Sequence, residues 1–441
     1  MRYLSFRFPV AVLVAVAWAL MAASVNMAAA SPSSPPVIDD STLQAMTTTI
    51  GGASPLPTTR TVQHWFGQTL DPHNGVTYGY NMVGADPNNC SGASCSVTVE
   101  ADITPLIVNI GGLTFSGNDV LAATLASPQF APNDYGSTPA ATAAGAFPNP
   151  PALIRGPGGA LSQGDAGNSL QLEDATMRAQ FNKTGSSNYH LNLHPNVLPA
   201  VTIDVPNNQG VLLQSGRGVI FADISISWWS AQIQNLETTA DPTHLPIYLT
   251  NNVLLHIGKN VLNCCVIGFH GTRATGLGGG SNNCTGNCKV QTFAWASWVQ
   301  PGIYSRPNGG TDWALQDIHA LSHEISEWAD DPFVNNTVEP WLTPTAPQYG
   351  CSGLLETGDP VVAIGFAIGT NTFEQGPNPN GTQSADGFYH PEDEAFLPWF
   401  MRTAPNTVSE PTQSPSANIG RYTLIGSLNP FPDFRQPATG C

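Results

Sequence analysis

Charge is scarce in this chain. Of 441 residues, 14 are Lys or Arg and 31 are Asp or Glu, which leaves a net charge of −17. So few basic side chains cannot build the cationic surface that phosphate recognition needs, which argues against nucleic acid as a partner. Beyond the first 30 residues no apolar run is long enough to cross a bilayer. No Gly-x-Ser-x-Gly elbow occurs, so no serine nucleophile can be singled out. The glycine run at residues 278–280 sits between cysteines rather than between a strand and a helix, so it is no phosphate cradle. Internal repeats are lacking too.

The N-terminus shows the one export-like pattern. Arg2 and Arg7 precede an apolar run over residues 10–23, and Ala28-Ala29-Ala30 stands before Ser31. This is the layout of a secretory signal peptide over residues 1–30, and Ser24 and Asn26 keep the run too short for an anchor. The expectation is a secreted protein, extracellular or periplasmic, with no membrane contact after cleavage. Residues 31–58, rich in Ser, Pro and Thr, read as a flexible leader.

Glycine (43) and proline (38) are abundant, which fits a loop-rich fold with many turns. All eight cysteines follow residue 30, and an even number in an exported chain reads as disulfides. Cys90 and Cys95 are expected to close a local loop. Cys264 and Cys265 are expected to reach Cys284 and Cys288, and Cys351 to reach Cys441. A zinc site built by the middle four is the competing reading.

Two regions are expected. Residues 59–184 read as a β-rich N-terminal region, with strands over 96–110 and a short helix over 170–181. Residues 185–441 read as the domain that carries chemistry. There the pattern gives strand and loop over 190–205 and an amphipathic helix over 224–236. Strands follow over 245–257, 261–270 and 290–299. The fold class is therefore α+β.

The chemistry concentrates in residues 319–327, His-Ala-Leu-Ser-His-Glu-Ile-Ser-Glu. His319, His323 and Glu327 recur every four residues and share one helix face. Thr311 or Asp312 can cap this helix, and Asp330-Asp331-Pro332 stops it. Two ligands at i and i+4, with a glutamate at i+1 as general base, form the metal grip of zinc peptidases. His319 and Glu327 lie about 12 Å apart along the axis, so one ion must choose His319 with His323 or His323 with Glu327. Only the second choice leaves a glutamate, Glu324, in the base position. Glu356 is the candidate third ligand. Asp359 is a candidate to orient a ligand histidine through its other ring nitrogen. Zinc is the expected cofactor, with calcium or manganese as oxygen-loving alternatives.

The order strand, helix, strands, ligand-bearing helix is that of zincin-like peptidase domains, in which an edge strand accepts substrate backbone. The run at residues 291–298 is the candidate edge.

A further likeness rests on short motifs. Gly268-Phe269-His270, Phe293-Ala294-Trp295, His323-Glu324-x-x-Glu327, Asp331-Pro332-x-Val334-Asn335 and Glu356-x-x-Asp359 stand in this order. Over residues 262–400 this resembles the plant EXORDIUM, or phosphate-induced protein 1, family of secreted, cell-wall-associated proteins. The resemblance implies that His270, His323, Glu324, Glu327, Glu356 and Asp359 belong to one site. His270 is then a ligand or a transition-state electrophile, and Tyr389, beside His390, a candidate oxyanion donor.

The functional expectation is a secreted zinc metallopeptidase acting on a protein or peptide substrate. The alternative is a non-catalytic cell-envelope protein with a degenerate or structural metal site and contacts to cell-wall polysaccharide. Glycoside hydrolysis by paired carboxylates, about 5 to 10 Å apart, is a third option.

Overall fold

The computed structural model describes residues 60–133, 170–181, 183, 187–216, 218–275, 289–303, 316–344, 351–362, 365, 368–373, 388–404, 422–424, 437, 438 and 441. The expected signal peptide and leader lie outside the described residues, as do Thr311, Asp312, Cys284 and Cys288.

Within the described residues the chain is mixed α+β, with several sheets and few helices. A hairpin of β1 (His64–Asp71) and β2 (Val76–Val83) comes first. The alternation of Val97, Val99, Ala101 and Ile103 then produces one long strand, β3 (Ser96–Ile110). Next come β4 (Leu113–Ser116), helix α1 (Asn118–Ala126) and helix α2 (Leu172–Gln180). Four strands follow, β5 (His190–Val197), β6 (Val201–Asp204), β7 (Gly210–Gln214) and β8 (Ile220–Ser225), and then helix α3 (Ile226–Leu236). Strands β9 (Leu245–Asn251), β10 (Val253–His256), β11 (Cys264–Val266), β12 (Gly268–Thr275) and β13 (Lys289–Trp298) lead to helix α4 (His319–Asp330). The hairpin-like pair β14 (Thr337–Leu342) and β15 (Cys351–Leu354) and the short helix α5 (Leu397–Phe400) complete the set.

The body of the fold is a sheet in the order β12-β13-β9-β3-β5. Residues 101–103 of β3 pair with both β5 and β9, which puts those two strands on opposite edges of β3. From β13 to β5 all neighbours are parallel, and β12 alone runs antiparallel. Beyond Pro105, β3 continues and pairs with β6 and β4, which bring the sheet to seven strands. Because β3 lies between β5 and β9, the boundary expected near residue 184 falls inside one sheet.

The candidate edge at residues 291–298 is corrected here. It is β13, hydrogen-bonded on one side to β12 and on the other to β9. Its uncharged, fully buried run is the signature of an interior strand. Among the described residues the edge is β12, whose Gly, Thr and Arg residues suit that place. The strand expected over 245–257 divides at Asn252, whose φ of +53° is one that asparagine tolerates, and β10 leaves for a second sheet, β11-β10-β8-β7.

The two faces of β13 explain the layering. Thr292, Ala294 and Ala296 face α4, and the Nε1–H of Trp328 on α4 donates to Thr292 Oγ1 at 2.8 Å. Small side chains there let the helix lie close. Phe293 and Trp295 face the other way, into a core with Trp229 and Ile233 of α3.

Among the cysteines, Cys90 pairs with Cys95, as expected from their spacing, and Cys351 with Cys441, the pair expected once the others were assigned. The expected reach of Cys264 and Cys265 to Cys284 and Cys288 is not what is seen. Cys264 is joined to its neighbour Cys265.

Candidate metal centre

Every residue of α4 is buried, although the helix carries two histidines, two glutamates and an aspartate. An amphipathic surface helix would turn these groups to water, so their burial needs partners. The helix starts at His319, and Asp317 just before it accepts hydrogen bonds from the backbone N–H of Ile318 (2.7 Å) and of His390 (2.8 Å). It ends where Asp331 accepts from the N–H groups of Asn335 and Asn336, which makes the Asp-Pro-x-Val-Asn segment a structural stop. Ser326 fastens the helix to later chain through Thr357 Oγ1 (2.7 Å) and the Glu394 carboxylate.

Around α4 the structure gathers His270 from β12, Glu356 and Asp359 from the segment after β15, and Glu392. Glu327 stands at the centre. Its Oε1 is 3.2 Å from His323 Nε2, and its Oε2 is 3.4 Å from His270 Nδ1. Asp359 Oδ1 lies 3.8 Å from His323 Nε2, and Glu356 Oε2 lies 3.7 Å from His270 Nε2. Glu324 Oε2 is 3.5 Å from His270 Nδ1. Two sets of three ligand atoms result, His323 with Glu327 and Asp359, and His270 with Glu327 and Glu356. Within each set the atoms lie within 4.8 Å of one another.

Two glycines make this closeness possible. A Cβ on Gly358 would overlap the His323 imidazole, and one on Gly268 would come within 2.5 Å of Glu324 Oε1. Only glycine lets the backbone pass so near those side chains.

Several expected roles change place. Asp359 does not stand behind His323. It faces the same Nε2 that faces Glu327. The other nitrogen, Nδ1, lies 3.1 Å from Glu392 Oε1, so Glu392 and not Asp359 stands behind that ring. Glu392 is itself set by its backbone N–H donating to Ser322 Oγ at 2.9 Å. His319 is turned to Glu392 as well, at 2.6 Å, and belongs to neither set of three. Glu356 groups with His270 rather than with His323. Tyr389 is not brought to the centre, because its hydroxyl donates to the Ala123 carbonyl at 2.9 Å. Glu392 lies in a run of three acids, Glu392, Asp393 and Glu394, and that density in a charge-poor chain was the signal available for it.

The acids of this cluster are short of positive partners. Glu324, Glu327, Glu356 and Glu392 find only histidine as a basic partner among the described residues. Burial, and then the charge of Glu327, push Glu356 well above the usual carboxylate range. Burial, followed again by Glu327, does the same to Asp359. Burial would raise Glu327 too, but His323 and His270 outweigh it and hold it at about 2. Burial opposes charge on both of those imidazoles, yet the surrounding acids push them well above their ordinary value. Without a metal the histidines become the positive charges. A divalent ion would take that role and release their protons. One nitrogen and two carboxylate oxygens in each set suit zinc or manganese.

Comparison with protein-family models, with curated proteins and with solved structures gives no match.

Proposed function

We propose that this protein is a metal-dependent hydrolase that cleaves peptide bonds, with a divalent ion, zinc first, held by His323, Glu327 and Asp359. One observation carries the reading. Three ligand atoms lie within 4.8 Å of one another in a buried cluster of acids, and Glu324 follows His323 directly on the same helix. When bound, such an ion supplies Lewis acidity and makes water easier to deprotonate.

The chain's own groups do the rest. Glu392 Oε1, 3.1 Å from His323 Nδ1, is placed to take the proton of that nitrogen, which would leave the Nε2 lone pair for the ion beside Glu327 and Asp359. Glu324 is the general base. It accepts a proton from the attacking water and passes it to the departing amine nitrogen. Burial raises its carboxyl above the ordinary value against the counter-pull of His270, which favours a group that must take up a proton as well as release it. Among the described residues β12 pairs only with β13, and it packs along α4, so its outer edge offers backbone groups to an extended peptide. The lone antiparallel strand at the edge beside the helix supports a zincin-like reading. The disulfides support an oxidising, exported setting.

Hydrolysis of an unstructured protein such as casein, measured before and after chelation, tests the reading. Activity should vanish with chelator and return with zinc. Purified protein that carries no metal and gains none on zinc addition would end it, and metal without hydrolysis would favour the non-catalytic alternative.

A further inference from the structure

We infer that the centre is built for two divalent ions bridged by Glu327. The inference rests on the hydrolase reading only in taking the cluster as a metal centre. The two oxygens of Glu327 are divided between two histidines, Oε1 toward His323 at 3.2 Å and Oε2 toward His270 at 3.4 Å. Each histidine meets one more acid: Asp359 Oδ1 lies 3.8 Å from the same Nε2 of His323, and Glu356 Oε2 lies 3.7 Å from the Nε2 of His270. The two sets of ligand atoms share Glu327 and nothing else. A carboxylate placed this way spans two ions, and in two-metal hydrolases these lie about 3.5–4 Å apart.

Charge and hydrogen bonding favour the second ion. A single ion on His323, Glu327 and Asp359 leaves Glu356 unexplained. That side chain is fully buried, and neither of its oxygens accepts a hydrogen bond among the described residues. Its neighbour His270 likewise has an Nε2 without a hydrogen bond, turned to the same place. A buried carboxylate left so is costly unless it is paired or coordinates a metal. Glu392 is already shared by His319 and His323. The remaining acids, Glu324, Glu327, Glu356 and Asp359, carry four negative charges when ionised, and two divalent ions balance them. The second ion would also sit beside Glu324 and turn a single-ion centre into one that can hold both the attacking and the departing group.

The test counts ions on the full chain. Protein stripped with chelator is loaded with Mn²⁺ or Zn²⁺, desalted and measured by elemental analysis, and the Mn²⁺ form is examined by electron paramagnetic resonance. The expected result is two ions per chain and a spin-coupled manganese spectrum. Glu356→Gln should bind one ion and lose the coupling. One ion per chain at saturation overturns the two-ion inference and leaves the hydrolase reading standing, whereas no bound ion removes both. Two uncoupled ions, or two ions retained in Glu356→Gln, also overturn the bridge. Should that variant fail to fold, the count and spectrum of the unaltered protein decide.

Discussion

Glu392 binds His323 from behind, its Oε1 3.1 Å from the imidazole Nδ1 while its Oε2 takes His319 Nε2 at 2.6 Å. One carboxylate thus fixes two histidines of one helix. It also makes His319 a support of His323 rather than a competitor with Glu327. Glu392→Gln removes the charge but keeps the shape, and metal affinity should fall about 10- to 100-fold. Zinc competition with a chromogenic chelator measures this. Tyr389→Phe is the contrast. It should leave metal affinity unchanged, because its hydroxyl serves Ala123. An unchanged affinity in Glu392→Gln would remove Glu392 from its orienting role.

Gly358 tests how tightly the centre is assembled. In Gly358→Ala the new methyl meets the His323 ring, so metal binding and folding should both weaken. Gly353→Ala, whose methyl would meet its nearest atom at an ordinary 3.7 Å, should bind metal normally. Thermal melts with and without zinc compare the two. Equal behaviour would mean that the close approach of backbone to His323 is unimportant.

Glu324→Gln separates binding from catalysis. Metal content should stay at the unaltered level while turnover drops about 10²- to 10⁴-fold, the range for loss of a general base. A variant that keeps both metal and full turnover would exclude Glu324 as the base.

Stability should decline with rising pH because of acids outside the ligand sets. Burial raises Asp223 to about 6, Asp330 to about 7 and Glu237 to about 8. A raised folded-state value means that the native protein holds a proton the unfolded chain has released. Their stabilising effect is therefore complete below their ordinary values, 3.8 for the aspartates and 4.5 for Glu237, and is lost as pH climbs through the raised ones. For Glu237 the rise from 4.5 to about 8 corresponds to at most about 5 kcal/mol. Urea midpoints at pH 5 and pH 9 should drop in the unaltered protein and drop less in Glu237→Gln. Parallel drops in the two proteins would show that Glu237 is ionised in both states.

Local patterns in the sequence were enough for several elements. The four-residue spacing of His319, His323 and Glu327 announced a helix, and Pro332 its end, because both depend on neighbours along the chain. The alternation in residues 96–110 announced strand in the same way. Residues 319 and 311 mark the limit of that reading. The helix begins at His319, eight residues after the candidate cap Thr311.

What the sequence alone determined is the set of reactive groups and the face on which α4 carries them. What only the tertiary structure decided is who meets whom. Residues 291–298 look like a strand from any viewpoint, but whether that strand is an edge depends on β12 and β9 arriving on its two sides. Glu356 and Asp359 stand three residues apart in an acidic turn. Only the packing of that turn against α4 sends one to His270 and the other to His323. Glu392 comes from still farther along the chain. Periodicity reports contacts a few residues apart, whereas a buried site of acids and histidines is assembled by sheet order and helix packing, which no local spacing encodes.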